Sequence, residues 1–265
     1  MHRQLRGAHT DMADDAKGRF LHPESAEYIA GGLRAARPLK GVPSATTVLG
    51  ECNVWNDVGL KNWEIGKRLE LSLEHGIAEG ESVEAYNKRL GSMHYRQNVM
   101  SAANQGSEMH DELQNATQGL PTAGKWSEHI APVLKWKEEK GLEFLELEQA
   151  FVSPLGFGGT IDVTAKNKDG QRLIVDYKSR NSTSKYKMRA YPKELCQAAA
   201  YGVLRWGLDA VMNGEIQGCN VLISRNEPGK TEIVGYPPEK MIEGWQLFKS
   251  ILHTFFLVKK YDPRP

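Results

Sequence analysis

The feature that most constrains the fold is a change of hydrophobic period near Gly141. Before this residue, apolar side chains recur at spacings of three and four residues, which indicates helices. After it, apolar residues alternate with polar ones or form short β-branched runs, which indicates strands. The pattern after Gly141 gives three strands, a helix, one or two strands and a final helix. We therefore expect an α/β (α+β) core behind a mainly helical N-terminal half.

The same patterns predict individual elements. Helices are expected over 22–37 (short and amphipathic), 43–50 and then 54–76, Ser82–Tyr95, Asn98–Gln118, Lys187–Trp206 and Pro238–Val258. Strands are expected over 142–151, 157–166, 172–179, 219–224 and 231–236. The Asp169–Gly170 pair, which lies between the second and third of these strands, is a strong hairpin signal.

The length of 265 residues allows one large domain or a core with a subdomain. We expect 1–43 to be a peripheral N-terminal extension, 44–140 to be a helical region and 141–265 to be the core. The last two ranges are expected to form one compact domain, because no internal repeat or low-complexity linker separates them.

Composition excludes several classes of protein. Hydrophobic residues make up 40% of the chain and charged residues 25%, which is an ordinary globular mixture. No apolar run approaches the ~20 residues that cross a bilayer, and the N-terminus lacks the apolar core of a signal peptide. We therefore expect a cytoplasmic protein without a membrane partner. Cys52, Cys196 and Cys219 are widely spaced, so reduced thiols are expected.

The distribution of charge is more informative than its sum. The formal net charge is only +1, but residues 166–193 contain nine basic residues against two acidic ones. Tyrosines are interleaved with these cations, as in surfaces that bind a nucleic-acid backbone and stack its bases. An ordinary solvated charged face would show the same composition.

Two acidic residues interrupt apolar strands. Asp162 lies within FGGTIDVTAK and Asp176 within RLIVDYKS, where a charge costs several kcal/mol unless it is paired or binds a cation. Lys178 follows Asp176 by two positions, so both side chains project from the same face of a strand. The hairpin brings Asp162 close to them. Two carboxylates with one lysine make a site for Mg²⁺ or Mn²⁺ suited to phosphodiester cleavage; the alternative is a buried ion pair with no catalytic role.

These residues form part of a longer series of motifs. A GxxxH element with Gly106 and His110 comes first in the chain, and Glu148 follows it. The GTID run ends at Asp162, DYK spans Asp176 to Lys178, and QAAAY spans Gln197 to Tyr201. In this order the motifs resemble those of the PD-(D/E)XK nuclease superfamily, and in particular its RecB-like exonuclease branch. The sequence is also similar, more weakly, to phage-encoded and mitochondrial genome maintenance exonucleases.

The resemblance implies a restriction-endonuclease-like core with a mixed central sheet flanked by helices. It also implies roles for individual residues. His110, Asp162, Asp176 and the carbonyl of Tyr177 would bind the metal, and Lys178 would be the catalytic lysine. Glu148 would support the metal site or bind a second metal. Gln197 and Tyr201 would orient Lys178 or contact the phosphate strand. In the basic segment beside them, Lys185, Lys187 and Arg189 are expected to follow a DNA backbone, with Tyr186 and Tyr191 as platforms for base stacking.

The function implied is that of a metal-dependent deoxyribonuclease, most simply an exonuclease on single-stranded DNA or duplex ends. Such an enzyme would act in recombination, repair or replication, where a protein partner is expected. The four cysteines that hold an iron–sulfur cluster in some members are absent, so no cluster is expected. Three alternatives stay open: an inactive DNA-binding scaffold, a structure-specific endonuclease and a nuclease that acts on RNA.

Overall fold

The computed structural model describes residues 19–52, 54–55, 58–182 and 187–264. The helices are α1 (Gly32–Ala36), α2 (Ala45–Glu51), α3 (Val58–Glu74), α4 (Val83–His94), α5 (Ser101–Thr117), α6 (Ser127–Lys140), α7 (Pro192–Trp206), α8 (Leu208–Met212) and α9 (Pro238–Lys259). The strands are β1 (Phe20–Leu21), β2 (Tyr28–Ile29), β3 (Val42–Pro43), β4 (Glu143–Ser153), β5 (Phe157–Lys166), β6 (Arg172–Arg180), β7 (Ile216–Ser224) and β8 (Thr231–Tyr236).

The chain divides into two compact units. The first, here called the sheet unit, comprises Met1–Val54 and Gly124–Pro265. The second, the helical unit, is Trp55–Ala123. The domain limits expected from the sequence stay a prediction.

The sheet unit contains a five-stranded sheet of order β4-β5-β6-β7-β8. Strands β6 and β7 are parallel, and every other neighbouring pair is antiparallel. Helix α7 provides the crossover between the parallel strands, as such a connection requires, and it packs against α9 and the sheet. The predicted α/β class with a mixed sheet and flanking helices is therefore confirmed.

The core of the sheet unit follows from the apolar strands. Strands β5, β6 and β7 bury Val163, Ile174 and Val221 completely, as expected for central strands that are covered by helices. Phe157 and Phe248 pack with ring centroids 4.9 Å apart and join α9 to the sheet.

The β5–β6 hairpin forms as predicted. The two strands pair antiparallel, and Gly170 ends the turn with φ +76°, a conformation that glycine adopts at little cost. The Asn167 carboxamide oxygen accepts the amides of Asp169 and Gln171, at 3.0 and 2.9 Å. An asparagine side chain thus stabilises the turn that the Asp-Gly pair indicated.

The helices predicted over 22–37 and Lys187–Trp206 both begin later than expected. Helix α7 starts at Pro192 instead of near Lys187, because Tyr191 has an extended backbone and a residue before proline is disfavoured in the helical region. In the 22–37 segment only α1 and a following 3₁₀ turn are helical, while Tyr28–Ile29 is a strand. Gly31 and Gly32, with φ of +91° and +65°, prevent a longer helix there. Helix α6 is not among the elements that the sequence patterns predict.

The helical unit is built from α3, α4 and α5. A π-helical segment, Tyr95–Met100, joins α4 directly to α5. Trp63 of α3 meets His94 of α4 edge to face at 5.2 Å, and Arg89 holds Glu81 through two hydrogen bonds of 2.9 and 2.7 Å. Across the described residues of both units, no helix combines the length and apolar character that crossing a membrane requires.

Candidate active site at the open end of a hairpin

The central feature of the site is the end of the β5–β6 ladder. The two strands pair from Lys166–Arg172 at the turn as far as Val163–Val175. One residue further on, the Asp162 carboxylate accepts the backbone amide of Tyr177 at 2.7 Å. A side chain thus takes the place of a strand carbonyl, and the hairpin has a closed end at its turn and an open end at Asp162.

Asp176 lies at this open end and is almost completely buried, with 1% of its side chain exposed. Its Oδ2 accepts Lys178 Nζ at 2.6 Å and Asn220 Nδ2 at 2.7 Å, while its Oδ1 accepts Gln197 Nε2 at 3.1 Å. The prediction that Asp176 and Lys178 share a strand face is confirmed. The donors come from three elements, so the position of the carboxylate is set by β6, β7 and α7 together.

Lys178 carries a stabilised positive charge. Burial by itself lowers the pKa of this lysine, but the neighbouring Asp176 and Asp162 carboxylates outweigh that effect and hold its pKa above the ordinary value. The Lys178 side chain as a whole remains 22% exposed. Lys178 is therefore suited to stabilise negative charge, and not to accept a proton near neutral pH.

Gln197 and Tyr201 lie one turn apart in α7, as their spacing predicted. The Gln197 amide donates to the Tyr201 hydroxyl at 2.9 Å as well as to Asp176. Burial and the nearby carboxylates raise the pKa of Tyr201 far above its ordinary value. A Cβ on Gly159 would lie 2.9 Å from the Tyr201 ring, so this glycine lets α7 approach β5 closely. Direct contact of Gln197 or Tyr201 with DNA stays a prediction.

Glu148 lies across from Asp162 on the neighbouring strand. It falls between the paired residues Leu147–Val163 and Gln149–Ile161, and carboxylate oxygens of Glu148 and Asp162 lie within 4.8 Å of each other. Glu148 has φ +48° inside a strand, which is unusual for a residue with a side chain. Strained backbone of this kind is concentrated at functional sites, and here it accompanies an exposed carboxylate.

The carboxylates fit a divalent metal ion. Glu148 and Asp162 are hard oxygen donors close to one another, and the Asp176 carboxylate lies on the adjoining strand. Oxygen ligands of this type suit Mg²⁺ and Mn²⁺.

The remaining predicted residues are placed as follows. Gly106 and His110 are both in α5 of the helical unit, and His110 is half-buried, so the predicted helical GxxxH element is present. Lys187, Arg189 and Tyr191 are exposed and precede α7. Lys185 and Tyr186 lie outside the described residues. The DNA-binding and metal-binding assignments of these side chains stay predictions.

Two residues at the site were missed by the sequence reasoning. Asn220 is fully buried in β7, and Tyr236, at the end of β8, donates a hydrogen bond to it. Asn220 interrupts the apolar run CNVLIS as Asp176 interrupts RLIVDYKS. The same argument about buried polar groups would have singled it out.

The comparison with known families decides the assignment. The family model of the PD-(D/E)XK nuclease superfamily matches residues 60–246, more than two thirds of the chain. This chain belongs to that superfamily. PD-(D/E)XK proteins are nucleases in general and use divalent metal ions, which agrees with the carboxylates and lysine at the open end of the hairpin. The more specific resemblance to the RecB-like branch stays a prediction.

Further comparisons add less. Among solved structures, the chain is similar to one titled "Crystal structure of SSO0001", with 13% sequence identity, coverage of 74% of this chain and 88% of that chain, and a TM-score of 0.29. The search of curated proteins found no match. The assignment to the PD-(D/E)XK superfamily therefore rests on the family model.

Proposed function

We propose that this PD-(D/E)XK protein is a metal-dependent deoxyribonuclease that degrades single-stranded DNA or duplex ends. The observation that carries the proposal is the cluster at the open end of the hairpin, where Lys178 Nζ lies 2.6 Å from Asp176 and the Asp162 carboxylate is on the adjoining strand. A protein that needed only a stable core would gain little from burying such a group of charges.

The proposed metal ligands are Asp162, Asp176, the carbonyl of Tyr177 and His110, with Glu148 as a supporting or second-metal ligand. A divalent cation held there would offset negative charge on the scissile phosphate and promote deprotonation of a water. Lys178 stabilises the negative charge that develops on the phosphate oxygens, because its own charge is held by the two aspartates. Asp176 in turn fixes the position of the lysine.

The contribution of His110 separates the RecB-like branch from other PD-(D/E)XK nucleases. Imidazole is a softer ligand than carboxylate, so a site that includes His110 favours Mn²⁺ more than a site of oxygens alone. His110→Ala should therefore lower cleavage with Mn²⁺ more than cleavage with Mg²⁺. If the variant cleaves DNA as fast as the wild type with Mn²⁺ and also with Mg²⁺, His110 is not a metal ligand.

Lys187, Arg189 and Tyr191 form the proposed path for DNA beside the site, together with Lys185 and Tyr186. The exposed cations would track the phosphate backbone, and the tyrosines would stack bases. Replacing Lys185, Lys187 and Arg189 by alanine should reduce the slope of log affinity against log salt by up to ~2, if each side chain contacts one phosphate of a single strand. An unchanged slope would make the segment an ordinary charged surface.

The decisive experiment uses end-labelled linear and circular single-stranded DNA of the same sequence. Each is incubated with the protein in Mg²⁺, Mn²⁺ or EDTA, and Lys178→Ala serves as the matched inactive control. Metal-dependent loss of the linear DNA, while the circular DNA stays intact, would support an exonuclease. Cleavage of circles would make it an endonuclease, binding without cleavage would make it a scaffold, and a preference for an RNA of the same sequence would change the substrate.

The process is proposed to be recombination, repair or replication, in which DNA ends are resected. Release of labelled mononucleotides from one end, compared between 5′- and 3′-labelled substrates, would give the polarity of such resection. Activity confined to internal positions would contradict this assignment.

A further inference from the structure

A row of three polar side chains crosses the central sheet from the site towards its edge. Asp176 and Asn220 are directly paired in the parallel β6–β7 ladder. Asn220 is paired with Val234 across the β7–β8 ladder, so Tyr236 is its diagonal neighbour on the same face. Asn220 is fully buried between Cys219 and Val221. A buried amide is costly unless it is hydrogen-bonded, so the row is held together by its own bonds.

The hydrogen bonds of the row run in one direction. The Tyr236 hydroxyl donates to Asn220 Oδ1, and Asn220 Nδ2 donates to Asp176 Oδ2 at 2.7 Å. Burial raises the pKa of Tyr236, so its hydroxyl keeps its proton and remains a donor. A flipped Asn220 amide would set its oxygen against the Asp176 carboxylate, and both of these groups are acceptors. The carboxylate therefore determines which end of the amide it meets, and the Tyr236 hydroxyl holds the amide in place by donating to its oxygen.

The row acts on a carboxylate that is also bound to the lysine. Asp176 Oδ2 accepts both Asn220 and Lys178, and Gln197 donates to Oδ1. Without the donor from β7, the carboxylate could rotate about its Cβ–Cγ bond, and Lys178 would move with it. Asn220 is thus an uncharged donor from β7 on the same oxygen to which the Lys178 ammonium also donates.

We propose that Asn220 and Tyr236 are positioning residues that hold Asp176 in the orientation in which it binds the divalent cation. The inference rests on the proposed function, because it assumes that Asp176 is a metal ligand. Hydrogen-bond partners of metal ligands commonly contribute about 10- to 100-fold to metal affinity. Neither residue touches the substrate in this proposal, so both act through Asp176.

The competing explanation is that the pair only satisfies two buried polar groups. Asn220→Leu keeps the number of side-chain heavy atoms but removes the donor to Asp176, and it leaves the Tyr236 hydroxyl without the Asn220 acceptor. Tyr236→Phe removes only the hydroxyl. The double variant removes both partners of the Asn220–Tyr236 bond, so it should regain part of the stability that Asn220→Leu loses.

The test measures Mn²⁺ affinity by calorimetry, kcat by DNA cleavage and stability by urea unfolding of the metal-free proteins. We expect Asn220→Leu and the double variant to bind Mn²⁺ about 10- to 100-fold more weakly, and Tyr236→Phe to show a smaller loss in the same direction. The control is Tyr261→Phe, because the Tyr261 hydroxyl donates at 2.7 Å to the Gly41 carbonyl, away from the proposed ligands. This control should bind Mn²⁺ as the wild type does.

Recovery of metal affinity together with stability in the double variant would overturn the inference, as would unchanged Mn²⁺ affinity in Tyr236→Phe. If Asn220→Leu fails to fold, Tyr236→Phe alone decides between the two explanations. A wild-type protein that binds no Mn²⁺ would overturn the proposed function instead. The two failures are therefore distinguishable.

Discussion

The closed and open ends of the β5–β6 hairpin differ in what satisfies the backbone. At the closed end, four residue pairs, from Lys166–Arg172 to Val163–Val175, form a regular ladder around a tight turn. At the open end, the Asp162 side chain accepts the Tyr177 amide. Buried backbone donors need acceptors wherever strands separate. The comparison shows that one hairpin can have two roles. Its ladder stabilises the fold at the closed end, and its carboxylates lie where the ladder stops, at the open end.

Among substitutions at the two ends of the hairpin, the largest effect on activity is expected at Lys178, at the open end. Lys178→Ala should lower kcat about 10²- to 10³-fold, because it removes the charge that stabilises the transition state at the open end. Metal affinity should change little, since Asp162 and Asp176 remain. Steady-state cleavage assays measure kcat, and Mn²⁺ calorimetry measures the metal affinity. Lys240→Ala, an exposed lysine of α9, is the control, and activity of Lys178→Ala within threefold of this control would remove the catalytic assignment.

The next effect separates the two roles of Asp162. Asp162→Ala removes the acceptor of the Tyr177 amide and should cost about 1 to 3 kcal/mol of unfolding free energy. Asp162→Asn keeps an acceptor oxygen, so it should retain most of the stability while metal binding falls. Urea unfolding of the two metal-free variants gives the difference. Equal stability of both would mean that the side chain does not replace a strand carbonyl.

A smaller effect is expected from the strained backbone opposite Asp162. Glu148→Ala and Glu148→Gly both remove the carboxylate, but only glycine adopts φ +48° without steric cost. The glycine variant should therefore be more stable than the alanine variant by about 1 to 2 kcal/mol. Thermal unfolding compares them directly. If alanine is the more stable, the left-handed conformation at this position is not maintained in solution.

The smallest effect is expected at the closed end. Gly170→Ala places a Cβ on a residue with φ +76° and should cost about 1 kcal/mol, although no neighbouring atom would clash with it. Cleavage by the folded variant should match that of the wild type, because the turn lies at the other end of the hairpin. A loss of activity in the folded variant would show that the two ends are coupled.

Much of the site was predictable because strand geometry is local. The two-residue spacing of Asp176 and Lys178 put both side chains on one face, and the Asp-Gly turn brought Asp162 beside them. The four-residue spacing of Gln197 and Tyr201 similarly put them together on α7. The predicted start of α7 near Lys187 was wrong. The periodic pattern was extended through Tyr191, whose helical conformation is disfavoured by the proline that follows it.

The sequence by itself determined the class of fold, the hairpin and the principal charged residues, because each depends on periodicity or on residues close together in the chain. Only the tertiary structure decided that Asn220 and Tyr236 lie in a row with Asp176, since that row needs the β6–β7–β8 strand order and its register. The left-handed backbone of Glu148 was equally beyond the sequence. It is a conformation that a residue with a side chain disfavours, and here it lies between two paired positions of the β4–β5 ladder, Leu147–Val163 and Gln149–Ile161.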